Sequence, residues 1–254
     1  MRHGGDLISF KKYYEGELID FSSNINPLGF PQGLKEELID SFSDMISYPD
    51  IRYRHLKASI ADYLKCGLEN VLVGNGAVDI IDKFILLFPR IVVVLPSFSE
   101  YQDRARVHKK EVVSLNYKQD FTLDLAAIEK TIRPEDLIIL GNPNNPTGLR
   151  IEKETLIKLY EIVRQKGAYL LLDEAFYEFC PEDYDSIEIF SKDSFKNVGI
   201  IRAATKFFGL PGIRLGYACV AEDIREKYEG VELPWSVNAL ADRAGRYIFK
   251  CKNY

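Results

Sequence analysis

Four short stretches place reactive or anion-binding groups directly after apolar runs. Gly74-Asn75-Gly76-Ala77-Val78-Asp79 follows Val71–Val73 and precedes a helical pattern. Glycines ahead of a helix N-terminus suit an anion, because free backbone N–H groups and the positive end of the helix dipole point at it. The stretch reads equally as a tight strand-to-helix turn without a ligand, and it is not a full GxGxxG. Gly141-Asn142-Pro143-Asn144-Asn145-Pro146-Thr147-Gly148 follows Leu137–Leu140; its X-Pro steps and three asparagines make a rigid polar loop that can aim an amide at a ligand. Asp173-Glu174-Ala175-Phe176 follows Tyr169–Leu172. A carboxylate at the end of a buried strand is costly unless it meets a cation or a donor; a helix cap or a structural ion pair is the alternative use. Thr205-Lys206-Phe207-Phe208 follows Val198–Ile201, with Arg214 eight residues after the lysine. Desolvation beside two aromatics lowers a lysine pKa and makes a better amine nucleophile, against the alternative of a plain surface lysine.

The elements that must position these groups repeat one pattern of apolar run, turn and helical periodicity. Val71–Val73, Ile91–Leu95, Leu137–Leu140, Tyr169–Leu172, Val198–Ile201 and Leu215–Val220 predict strands, several too uniformly apolar to keep one face wet. Helices are predicted over Leu34–Phe42, Leu56–Leu64, Val78–Phe88, Leu123–Ile132 and Lys153–Lys166, the last with Leu156, Leu159, Tyr160 and Val163 on one face. The alternation predicts an α/β fold, a mostly parallel central sheet with helices on both faces. Such sheets bind ligands beyond the carboxyl ends of their strands, where all four stretches lie. Residues 1–32, rich in Gly, Pro, Asn and Ser, read as an N-terminal arm, and 33–232 as a large domain. Residues 233–254 read as the start of a linker helix, Ala239 to Phe249. Nothing follows for that helix to pack against, so the chain is expected to be cut short, with a C-terminal small domain largely absent.

Composition narrows the function classes. The 254 residues are 46% hydrophobic and 28% charged, enough for a sizeable core and against disorder. With 33 basic and 38 acidic residues the net charge is −5, which argues against a nucleic-acid partner. No apolar run reaches the roughly 18–20 residues that span a bilayer, and Met1–Phe10 lacks the apolar core of a signal peptide. Cys66, Cys180, Cys219 and Cys251 are scattered without a CxxC, so neither a disulfide framework nor a zinc cluster is expected, and a reducing, cytoplasmic location is the default.

A nucleophilic lysine, an aspartate able to keep a pyridinium nitrogen protonated, and a glycine turn and arginine for a phosphate are together the parts of a pyridoxal-phosphate site. On the Asn-Pro-Asn-Asn-Pro-Thr-Gly stretch, Asp173-Glu174-Ala175 and Thr205-Lys206 with Arg214, the chain resembles fold-type I pyridoxal-phosphate enzymes. Within them it resembles the branch shared by histidinol-phosphate aminotransferase and threonine-phosphate decarboxylase, from His3 to about residue 249. The resemblance implies that Lys206 is the Schiff-base lysine and Asp173 the partner of the ring nitrogen. It makes Asn145 a donor to the ring hydroxyl and Phe98 the stacking ring. Gly76, Ala77, Thr205 and Arg214 would cup the phosphate. Tyr48, in Tyr48-Pro49-Asp50, would reach the phosphate of a second subunit, so a homodimer is implied.

Within the branch, His3-Gly4-Gly5, the arm Asp20-Phe21-Ser22-Ser23-Asn24-Ile25-Asn26-Pro27-Leu28-Gly29 and Pro234-Trp235-Ser236-Val237-Asn238-Ala239-Leu240 resemble the decarboxylases. Phe176 does too, where related aminotransferases usually carry a tyrosine whose hydroxyl reaches the ring oxygen. The implied reaction takes O-phospho-L-threonine to aminopropanol phosphate and CO2 in cobalamin biosynthesis, with His3, Asn24 and Asn238 as substrate contacts. The alternatives are an aminotransferase such as one acting on histidinol phosphate, and a truncated cofactor-binding remnant with little turnover. A dinucleotide-binding module would leave Lys206 and Asp173 without a shared task. The sequence departs from the family where Ala203 and Ala77-Val78 replace hydroxyl residues. The phosphate is then left to backbone N–H groups, Thr205, Arg214 and Tyr48; each hydrogen bond lost to a charged group is worth about 1.5–3 kcal/mol, which predicts weaker cofactor binding. Relatives also carry a further C-terminal domain of roughly a hundred residues that supplies the arginine for the substrate α-carboxylate.

Overall fold

Strands without polar alternation need cover on both faces, and here they receive it. A computed structural model of the chain describes residues 4–251 and 254. Its strands are β1 (Val71–Gly74), β2 (Arg90–Leu95), β3 (Glu111–Asn116), β4 (Asp136–Gly141), β5 (Tyr169–Asp173), β6 (Val198–Ala203) and β7 (Gly216–Cys219). They form one seven-stranded sheet in the order β1-β7-β6-β5-β4-β2-β3. The strands from β2 to β6 pair in parallel, while β7 runs antiparallel to both β6 and β1.

The helices are α1 (Leu7–Lys11), α2 (Leu34–Asp40), α3 (Arg54–Leu64), α4 (Ala77–Leu87), α5 (Glu100–Val107), α6 (Leu125–Thr131), α7 (Lys153–Lys166), α8 (Ser186–Ser191), α9 (Glu222–Glu229) and α10 (Ala239–Ile248). Alternate residues of one strand enter opposite cores, as the two-residue period of a strand requires. Ile138 and Leu140 join Ile60 of α3, Leu159 of α7 and Ala244 of α10 on one side. Leu137 and Ile139 join Ile80 of α4, Ala105 of α5 and Ile224 of α9 on the other. Among the described residues no helix is long and apolar enough to cross a membrane.

The α/β expectation holds, and all six predicted strands are present with ends shifted by a residue or two. The sequence pattern missed β3, an edge strand whose residues are only half-buried or exposed and therefore carry no strong apolar signal. It also missed α5, α8 and α9; α5 buries only Tyr101 and Ala105 in an otherwise charged segment. The N-terminal arm, whose Gly, Pro, Asn and Ser content predicts no helix, contains the short helix α1.

The carboxyl ends of the three central strands are fastened together by one buried ion pair. Arg202 of β6 is 2% exposed and donates through Nε and Nη2 to Glu174 Oε2 at 3.2 and 3.0 Å; Glu174 follows β5 and is fully buried. The other oxygen, Glu174 Oε1, accepts from Asn142 Nδ2 at 3.0 Å and from Ser186 Oγ at 2.5 Å. Asn142, just after β4, in turn accepts from the Ile151 N–H through Oδ1 at 2.9 Å. Arg202 Nη2 also reaches Asp185 Oδ1 at 2.6 Å, and the Tyr177 ring lies 3.4 Å from the guanidinium carbon. Burial opposes the positive charge, but the Glu174 and Asp185 carboxylates outweigh it and hold the guanidinium protonated above its ordinary value. Removing the charge of Glu174 leaves a buried cation short of its main partner. Glu174→Gln is expected to lower the unfolding free energy by about 3 kcal/mol in urea titration; an unchanged midpoint would show that the pair contributes little.

Candidate active site

Beyond the carboxyl ends of β4, β5 and β6 lies a cavity of about 190 Å³. It is lined by Ala77 and Val78 of α4, by Phe98 and Tyr101, by Pro143 and Asn145, by Asp173, Ala175 and Phe176, and by Ala203, Thr205, Lys206 and Arg214. A second cavity of about 470 Å³ adjoins it, shares Pro143, Asn145 and Phe176, and adds Asn24 to Pro27 of the arm and Arg150.

Each wall has a local cause. At the start of α4, Gly76 adopts φ 86°, a left-handed conformation open to glycine, and Asp79 Oδ2 accepts from the Asn75 N–H at 2.9 Å to fix the turn. A Cβ at Gly76 would collide with the Arg214 guanidinium, and a Cβ at Gly216 would lie 2.5 Å from the Ala77 nitrogen. The two glycines therefore let an arginine and β7 close on the helix N-terminus. In the Asn-Pro loop the three asparagines divide their work. Asn142 belongs to the Glu174 network, and Asn144 Nδ2 braces Pro96 O and Thr147 Oγ1 at 3.0 Å each. Asn145 lines the cavity. Lys206 is held from the arm: Asn26 N donates to Lys206 O at 3.0 Å, and Asn26 Nδ2 to Phe207 O at 2.9 Å. The Lys206 ammonium donates to Ser23 O at 2.7 Å and lies 5.5 Å from the Phe176 ring centroid.

The electrostatics are unusual for two groups. Asp173 is 8% exposed; its Oδ2 accepts from the Tyr101 hydroxyl at 2.7 Å and its Oδ1 from the Ala175 N–H at 3.1 Å. Burial pushes its pKa up, and those two donors only partly offset this. Burial pushes the Lys206 pKa down, aided by Arg214 and opposed by the attraction of Asp173 and Asp20. A buried carboxylate without an ion-pair partner among the described residues stands in one wall of the cavity. The N-terminus of an eleven-residue helix and a guanidinium form another wall, and an amine of lowered basicity a third. This donor set fits a small ring that is cationic at one end and carries a phosphate at the other, attached through the amine.

The structure brings Ala77, Phe98, Asn145, Asp173, Thr205, Lys206 and Arg214 to one cavity, with Gly76 packed against Arg214 at its edge. Asn24 lines the adjoining cavity instead. Tyr48 is outside both; it is 79% exposed and stacks on Trp235 at 4.5 Å between ring centroids. Asn238 is not brought to either cavity: both ends of its amide are engaged, Oδ1 capping α10 at the Ala241 N–H and Nδ2 donating to Ile213 O. His3 lies outside the described residues. Tyr101, the direct partner of Asp173, escaped the sequence reading because α5 itself did. Its one signal is an aromatic three residues after Phe98, and the two rings meet edge-on at 5.7 Å.

The family model for aminotransferase class I and II matches residues 16–252, and the chain belongs to that family, the fold-type I pyridoxal-phosphate enzymes. A putative threonine-phosphate decarboxylase of Caldanaerobacter subterraneus subsp. tengcongensis is 40% identical over 99% of this chain and 68% of that protein. Threonine-phosphate decarboxylase of Salmonella typhimurium is 36% identical over 90% of this chain and 64% of that protein. The crystal structure of histidinol-phosphate aminotransferase from Clostridium acetobutylicum superposes with a TM-score of 0.87 at 37% identity, covering 93% of this chain and 71% of that one. The chain thus spans about two thirds of the length of these relatives.

The buried carboxylate generates a prediction for the cofactor-free chain. The folded-state pKa of Asp173 lies above its unfolded value of 3.8, so the stability this group allows is fully present below 3.8 and is lost as pH rises through the folded value. Asp173→Asn removes this cost. The variant is expected to melt at a higher temperature than the parent at neutral pH, with the difference shrinking as pH falls towards 3.8. A variant equally or less stable at neutral pH would contradict the assignment.

Proposed function

We propose that the chain carries the pyridoxal-phosphate centre of a decarboxylase that converts O-phospho-L-threonine to aminopropanol phosphate and CO2. The observation that carries the choice is Phe176. It stands where the two cavities meet and presents a ring without a hydroxyl beside Lys206. A tyrosine there would donate to the cofactor oxygen, as the resemblance implies for aminotransferases. The 40% and 36% identities to threonine-phosphate decarboxylases support the same reading.

In this reading Lys206 Nζ holds the cofactor covalently, Asp173 pairs with its ring nitrogen, Asn145 donates to its ring hydroxyl and Phe98 covers one face. The Gly76-Ala77 backbone, Thr205 and Arg214 hold the phosphate, and Tyr48 of a second subunit completes the shell. The bound cofactor supplies an electron sink for the pair left at the substrate Cα when the carboxylate departs. Asp173, kept ionised by its new cationic partner and by the Tyr101 and Ala175 donors, stabilises the charge at the ring nitrogen. The Lys206 ammonium, whose lowered pKa makes it a readier acid, would supply the proton that Cα takes up when the carboxylate has left. Asn24, in the adjoining cavity, and His3 contact the substrate phosphate; Asn238 shares that role only if its cap opens. The homodimer belongs to the proposal, supported by the exposed Tyr48 and by exposed apolar side chains such as Phe21 and Ile46. So do the division into an arm (1–32), a large domain (33–232) and a linker segment (233–254), and a cytoplasmic location.

A second reading, transamination of histidinol phosphate or a similar amine, is favoured by the superposition on the Clostridium acetobutylicum enzyme. Product analysis separates the two. With pyridoxal phosphate and O-phospho-L-threonine, the expected products are CO2 and aminopropanol phosphate. Phe176→Tyr is expected to shift the balance towards a keto acid and pyridoxamine phosphate. A keto acid and pyridoxamine phosphate as the main products of the unaltered chain would overturn the decarboxylase reading.

A further inference from the structure

Two of the four cysteines, 153 residues apart in sequence, meet in the fold. Cys66 follows the C-terminus of α3, where Lys65 turns the chain with φ 54°, and is half-buried. Cys219 ends β7, is fully buried, and lies in register with Val71 of β1. Their sulfurs are 3.2 Å apart. A disulfide bond is about 2.05 Å long, so closure asks for a movement of roughly 1.2 Å. The other two thiols point elsewhere: Cys180 Sγ donates to Phe176 O and Cys251 Sγ to Tyr247 O.

We propose that Cys66 and Cys219 are a covalent modification site, a dithiol that closes to a disulfide by exchange with a low-molecular-weight disulfide such as oxidised glutathione. The half-exposed Cys66 thiolate attacks one sulfur of the incoming disulfide. A mixed disulfide forms, and the first thiolate leaves and takes a proton. Cys219 then attacks the Cys66 sulfur, the Cys66–Cys219 bond forms, and the second small thiolate leaves and takes up the Cys219 proton. The chain loses two hydrogens and two electrons, and the small disulfide is reduced to two thiols. The roles follow from the environment. The hydrogen bond the two thiols share lowers the Cys66 pKa, whereas that bond and burial raise the Cys219 pKa. The half-buried Cys66 thiol is thus the attacking one and the fully buried Cys219 thiol the resolving one.

The bond would pin α3 to β7, the strand whose first residue, Gly216, lies against the Gly76-Ala77 turn. It is independent of which substrate the cavity takes. The test uses the full chain with Cys180 and Cys251 changed to Ser, so that the pair is the only dithiol. After exposure to oxidised glutathione, the expected product is two hydrogens lighter, retains no glutathione and has no thiol titratable in denaturant. It is expected to melt roughly 5–10 °C higher than the reduced form, reversibly with dithiothreitol. Cys219→Ser in the same background is expected to retain one glutathione on Cys66, and Cys66→Ser, a change at the half-exposed position, to react little. Glutathione retained on the unaltered pair, or both thiols still titratable, would overturn the proposal.

Discussion

The site depends on a buried charge that no ligand sees. Arg202 and Glu174 fasten the ends of β4, β5 and β6, and the three loops of the cavity wall that follow these strands begin within a few residues of that clamp. Asp173 precedes Glu174, Asn145 lies three residues after Asn142, and Lys206 lies four after Arg202. A parallel sheet gives strand ends that point the same way but does not fix the loops beyond them. Here the fixing is electrostatic, and the cost of burying the pair is offset by further partners: Asn142 and Ser186 donate to Glu174 Oε1, and Arg202 Nη2 also reaches Asp185.

Against that rigid base, the reactive groups are left unfinished. Asp173 is buried with two neutral donors and, among the described residues, no ion-pair partner, and Lys206 is tied to a carbonyl of the arm rather than to a carboxylate. Burial disfavours the charged form of both in the cofactor-free chain, and a ligand with a cationic ring nitrogen and a carbonyl carbon for the amine relieves both. The arm takes part directly. Ser23 and Asn26 hold Lys206 and its neighbour, and Asn24 between them, at φ 49°, faces the adjoining cavity.

Much of this was legible in the sequence, because the central strands are apolar on both faces and the chemistry sits directly after them. The stretches holding Lys206, Asp173, Asn145 and Arg214 stand out because they follow strands, Asn145 itself being singled out by the resemblance, and the structure brings the four side chains to one cavity. Tyr101 was not, since its helix is charged along most of its length and is recognisable only through packing. The Glu174–Arg202 clamp was missed for another reason: its partners are 28 residues apart, and a Glu beside a candidate catalytic Asp gives no hint of its mate. Asn238 shows the opposite failure. Its motif resembled a substrate contact, while the fold spends its amide on a helix cap and a loop carbonyl. The Cys66–Cys219 contact was invisible because scattered cysteines carry no register until β1 and β7 pair.

The central claim is that the described cavity holds pyridoxal phosphate through Lys206. It is tested most directly by adding pyridoxal phosphate to the purified chain and recording the visible absorption spectrum beside that of Lys206→Ala. A new absorption band in the parent that borohydride reduction fixes to Lys206, and that the variant lacks, is the predicted result. A folded parent without the band, or the same band in the variant, would contradict it.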